Sequence, residues 1–87
     1  MILLKGGQGY TIDDAIKVIG AKNSIEGVTA EYNYLEQRFG QKDRDWKLIS
    51  QSLVSKDKIF YDKLTISCEN KKTCDIFFDI TGFFMSK

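Results

Sequence analysis

The sequence predicts an α+β domain in which two short N-terminal helices pack on one face of a three- to four-stranded antiparallel sheet, in the order β-α-α-β-β-β. Three observations point there. Apolar residues recur at helical spacing in two stretches before residue 40, the pattern changes to alternation after residue 45, and β-branched and aromatic residues crowd the second half. The 87 residues make one globular domain, 1–87, with no linker, low-complexity tract or internal repeat. At 43% hydrophobic with eleven aromatic side chains, the chain has enough apolar surface for a core without metals or bridges. Burial of about 60–70% of the unfolded surface is typical at this length.

Met1 to Lys5 read as a short apolar strand, and Gly6, Gly7 and Gly9 then allow backbone angles closed to other residues. A first helix is expected from Thr11, a good N-cap. Asp13 and Asp14 would complement its dipole, Ile12, Ala15, Ile16 and Ile19 share one face, and Gly20 ends it. The second helix is signalled more strongly. Asn23 and Glu26 have capping-box spacing, Ile25, Val28, Tyr32, Leu35 and Phe39 form one stripe, and Gly40 sits where a helix terminator belongs. Gly27 lies with Ala30 and Tyr34 on the opposite face and costs the helix about 1 kcal/mol relative to alanine.

Gln41 to Asp45 form a charged loop, after which three strands are expected. In the first, Trp46 to Val54, apolar residues occupy both parities, so either both faces are partly covered or a bulge shifts the register. Ser55 to Lys58 turn the chain into a second strand, Ile59 to Cys68, with Leu64, Ile66 and Cys68 inward. The third, Cys74 to Thr81, directs Cys74, Ile76, Phe78 and Ile80 to the same side. Both inward sets stay together only if paired positions sum to an even number. A turn centred on Lys71 then sets Cys68 against Cys74, Leu64 against Phe78 and Lys63 against Asp79, whereas a two-residue Asn70-Lys71 turn would expose one apolar set. Gly82 to Lys87 add Phe83, Phe84 and Met85, which close one end of the core or offer a contact surface.

Thirteen basic against twelve acidic residues give no electrostatic case for a nucleic-acid or anionic-membrane binder. Absence of histidine excludes hydrolases with a His base and His-ligated zinc or haem. Two cysteines alone complete neither a zinc site nor a disulfide-built scaffold, and no leader or membrane span is recognisable, so a cytoplasmic protein with no metal and no cofactor is expected.

Lys5 to Gly9 ahead of a helix start has the look of a backbone phosphate cradle, but lacks the P-loop ending and has Asp13 and Asp14 in the way. Gly6-Gly7-Gln8 also matches the tripeptide with which release factors hydrolyse peptidyl-tRNA; without a basic context this reads as coincidence. Cys68 and Cys74 read as core thiols with the geometry to close a bond. Asp62 points inward, which calls for a strand-end cap or a buried acid with a task. Tyr34, Tyr61, Phe77, Phe83 and Phe84 are candidate anchors for a partner, since aromatic residues dominate contact energies. No cluster defines a reaction. The expected function is a non-catalytic protein-protein interaction module of inhibitor, immunity or adaptor type, contacting another protein or itself. The alternative is a small-ligand or anion binder using the Gly6 to Gly9 loop and the helix start after it.

Overall fold

The computed structural model describes residues 2–68 and 72–84. Its elements are β1 (Leu3–Gly6), a single 3-10 turn (Ile12–Asp14), β2 (Ile16–Ile19), α1 (Ser24–Phe39), β3 (Trp46–Lys56), β4 (Ile59–Cys68), β5 (Thr73–Asp79) and a one-turn α2 (Thr81–Phe84). All five strands join one sheet in the order β1-β2-β5-β4-β3. The sheet is mixed, because β2 runs parallel to β5 while the other neighbours are antiparallel.

The expected pair of N-terminal helices on a smaller antiparallel sheet is therefore corrected. Residues 12–19 fold as a turn and a strand. Ile12, Ala15, Ile16 and Ile19 satisfy helical spacing, but Ile16 and Val18 equally satisfy alternation, and both are buried while Lys17 and Ile19 face out. As a strand this segment pairs along its length with β1 and at Ile16 and Lys17 with β5. A helix of two to three turns rich in β-branched residues has little of its own to set against those ladders. Thr11 makes no side-chain cap bond.

The second expected helix is α1. The Asn23 side chain accepts the Glu26 N–H at 2.9 Å, the Glu26 carboxylate accepts the Lys22 N–H at 3.0 Å, and Gly40, at φ 107°, ends the helix by donating to the Glu36 carbonyl. Its rotation departs from the apolar stripe. The buried line is Gly27, Glu31 and Leu35; Phe39 and Tyr32 are half-buried, and Ile25 is 79% exposed. Gly27 decides this. A Cβ there would overlap the ring of Phe83, whose tip abuts the helix backbone at this point and which is 2% exposed.

In β3 the open alternative resolves as a bulge. Leu48 pairs with Ile66 and Ser50 with Thr65, leaving Ile49 as the extra, exposed residue. β3 continues to Lys56 and returns through Asp57 and Lys58, whose φ values of 54° and 66° mark a two-residue turn with both central residues left-handed. β4 spans the expected residues. In its pairing with β5 the parity is as expected but the register differs by two: Ile66 faces Cys74, Leu64 faces Ile76 and Asp62 faces Phe78. Cys68 is therefore not opposite Cys74, and Lys63 meets Phe77 rather than Asp79. The observed register sets Thr65 beside Asp75, with the Thr65 hydroxyl donating to its carboxylate at 2.7 Å and Lys63 reaching it at 3.8 Å. The turn centred on Lys71 lies outside the described residues.

Ile16, Val18, Leu64, Ile66, Ile76 and Phe78 cover the inner face of the sheet, and Leu35, Trp46, Ile80 and Phe83 close over them. The Trp46 indole donates to the Gly40 carbonyl at 2.8 Å, tying the start of β3 to the end of α1.

Candidate functional site

Two carboxyls meet inside this core. Glu31 projects from the buried line of α1 and is wholly inaccessible; Asp62, on the inner face of β4, is 8% exposed and stands against it. Among the described residues neither Glu31 oxygen has a hydrogen-bond donor facing it. What it faces is another acceptor, the Asp62 carboxyl. Two facing acceptors repel unless one carries a proton. Burial first, and Asp62 second, push the Glu31 carboxyl up from 4.5 to about 9, so at neutral pH Glu31 holds the proton and supplies the missing donor.

Such a pair can hold and release a proton, but Glu31 is sealed from solvent and Asp62 is nearly so. The cavities between α1 and β1, beside Gly40, and along Ser24 to Tyr32 are lined by neither acid. Among the described residues no three His, Cys, Asp or Glu side chains are grouped to hold a metal ion. Asp62 was legible in the sequence as an inward-pointing acid on a strand. Glu31 was not, because the apolar stripe beside it reads as the packed face; Gly27 four residues earlier is the only local hint that the other face is buried.

The glycine loop is filled from within. The Asp14 carboxylate accepts the Gln8 N–H at 2.9 Å, and a Cβ on Gly7 would overlap that carboxylate. The 3-10 turn that follows is a single turn, so no helix start points at the loop. The Gly9 carbonyl accepts the Phe77 N–H at 2.6 Å, which docks the loop beside β5. Arg38 of α1 pins it from above: its Nη1 donates to the Gln8 carbonyl and, at 2.9 Å, to the Tyr34 hydroxyl, and the guanidinium lies 4.7 Å from the centre of the Tyr10 ring.

The aromatic candidates fall in separate places. Tyr34 is half-buried, its ring edge-on to Phe78 with centroids 5.8 Å apart. Phe83 is inside the core, and Tyr61 is 7% exposed; neither stands free on the surface. Phe77 is half-buried on the outer face of the sheet, diagonal to Tyr61. The Phe84 side chain lies outside the described residues. The most exposed large apolar side chains are Ile25, Ile49 and Leu53, with Leu3, Tyr10 and Ile19 less so; none of them was a candidate anchor from the sequence.

Ile25 belongs to a groove. Between α1 and the end strand of the sheet lies a cleft of about 370 Å³, lined on its apolar side by Ile2, Leu4, Ile25, Ala30 and Tyr34 and on its polar side by residues of α1 that include Glu26. On the far side of Ile25, Val28 and Tyr32 line a second shallow depression. The predicted apolar stripe of α1 thus remains in part at the surface, because the sheet is packed by the opposite face.

No known protein family matches the chain, and neither a curated protein nor a solved structure is found to be similar to it. Among the described residues no helix is long and apolar enough to cross a membrane.

Proposed function

We propose that this chain is a non-catalytic protein-interaction module that receives an extended apolar segment of another protein in the cleft between β1 and α1. The observation that carries the reading is Ile25: a large aliphatic side chain, 79% exposed, lining the cleft between α1 and the end strand of the sheet. Among the described residues β1 pairs with β2 on one side only, so its other edge presents N–H and C=O groups to a new strand. A segment added there satisfies those groups and sends alternate side chains toward Leu4 and Ile25, the recognition mode in which backbone bonds supply affinity and pockets supply selectivity. Inhibitor, immunity and adaptor roles all use such a surface.

A displayed library of ten-residue peptides selected against the full chain tests this. Binders should alternate apolar residues, shift the amide signals of Leu3 to Gly6 and of α1, and lose binding to Ile25→Arg, which keeps the wild-type melting temperature because the side chain is exposed. Signals that shift along β3 instead, or binding that survives Ile25→Arg, overturn the reading. A dimer in sedimentation that Ile25→Arg splits would make the occupant a second copy, and the heteromeric reading would fall.

A further inference from the structure

Cys68 ends β4 and Cys74 is the second residue of β5. With Ile66 opposite Cys74, and the Cys68 N–H bonded to the Lys72 carbonyl at 2.9 Å, the two cysteines are diagonal neighbours on the inward face of adjacent strands. Both are free and half-buried, both pack at the rim of the core, and the two thiols lie within electrostatic reach of each other. The pair therefore combines two properties that core cysteines seldom share: the side chains are neighbours on one face, and solvent reaches both residues. Diagonal strand neighbours lie within about 7–8 Å through their backbones, less at Cβ, so side-chain rotation with a small backbone adjustment brings the sulfurs to bonding distance.

We propose that Cys68 and Cys74 form a dithiol modification site that a low-molecular-weight disulfide of the glutathione type converts to an intrachain bond. The thiolate of one cysteine attacks a sulfur of the reagent, whose S–S bond breaks and releases one reagent thiolate, which takes up a proton. The second cysteine, deprotonated in its turn, attacks the protein sulfur of that mixed disulfide and expels the second reagent thiol. Two protein thiols lose two electrons and two protons, and the reagent is reduced to two thiols. Burial, and then the neighbouring Cys74, hold the Cys68 thiol above its ordinary value. Closure by the Cys68 route is accordingly slow at neutral pH and quickens as pH rises. The bond closes a short ring between the end of β4 and the start of β5, next to Trp46, which pairs with Cys68, and raises the melting temperature by about 10 °C.

The test uses the native full chain with excess oxidised glutathione at pH 8, quenched in acid and read by intact mass and peptide mapping. The expected product is two hydrogen atoms lighter than the reduced chain, carries no glutathione, links Cys68 to Cys74, and returns to the starting mass with dithiothreitol. Cys68→Ser and Cys74→Ser should each stop as a glutathione adduct. A wild-type chain that stops at a stable mixed disulfide, that links to a second chain, or that reacts only in urea overturns the proposal, and those wild-type readings stand whether or not the Ser variants fold.

Discussion

Replacing Glu31 by Gln should stabilise the protein, by an amount that grows with pH. The Glu31 carboxyl sits at about 9 in the folded chain against 4.5 ordinarily. The folded state thus keeps a proton that the unfolded chain releases above 4.5. Stability from this group is complete below that value, falls by about 1.4 kcal/mol for each pH unit above it, and levels off once the pH passes the folded value. The full shift would remove up to about 3 kcal/mol at pH 7 and up to about 5 kcal/mol at pH 8. Relaxation and water entry around a buried charge reduce such figures, so about half is expected. That is a large share of a total near 4–13 kcal/mol for a domain of this length. Gln has the shape of the protonated acid, does not titrate, and donates to Asp62 through its amide. Urea unfolding of both proteins from pH 5 to 8.5, followed by circular dichroism, isolates Glu31, since every other group titrates in both. The two should agree within about 1 kcal/mol at pH 5, with the Gln variant ahead by about 2–3 kcal/mol at pH 8. A gap that does not change with pH, or a weaker Gln variant at pH 8, refutes the proton shared between Glu31 and Asp62.

Gly27→Ala drives a methyl group into the Phe83 ring; despite better helix propensity it should lose about 1–2 kcal/mol in urea unfolding, and combining it with Phe83→Ala should give less than the sum of the two losses. Arg38→Lys removes the forked contacts to Gln8 and Tyr34, lowering stability by about 1–2 kcal/mol and speeding hydrogen exchange at the Phe77 amide that bonds Gly9. Asp14→Ala leaves the Gln8 amide without its acceptor, a loss of about 1 kcal/mol that a thermal melt will show.

What could be read in advance divides along physical lines. Signals confined to a few neighbouring residues were legible: the Asn23 and Glu26 cap, the Gly40 stop, the alternation of β4 and β5. The parity of the β4–β5 hairpin was also legible, since one misplaced residue would expose every apolar side chain, whereas a shift of two exposes none and is decided by contacts such as those of Thr65 and Lys63 with Asp75. Segment 12–19 misled because Ile12, Ala15, Ile16 and Ile19 fit the helical period while Ile16 and Val18 fit alternation, and the choice fell to β1 and β5, one of them some sixty residues away. The face of α1 misled for a similar reason. Ile25, Val28 and Tyr32 make the better stripe, yet Phe83, far along the chain, needs the bare backbone at Gly27. The candidate site inherits both cases, since Asp62 follows from strand parity while Glu31 is placed by the rotation of α1.

The parallel junction of β2 with β5 consists of two residue pairs, Ile16 with Phe78 and Lys17 with Asp79. On one side of it lies a hairpin built from residues 3–19, on the other a meander built from 46–79, and each can assemble from contacts near in sequence. The short seam, the Gly9 to Phe77 bond beside it and the helix laid across it demand a long excursion of the chain. Folding then reduces to two quick local events and a single slow docking, and the seam is where thermal opening of the sheet should begin.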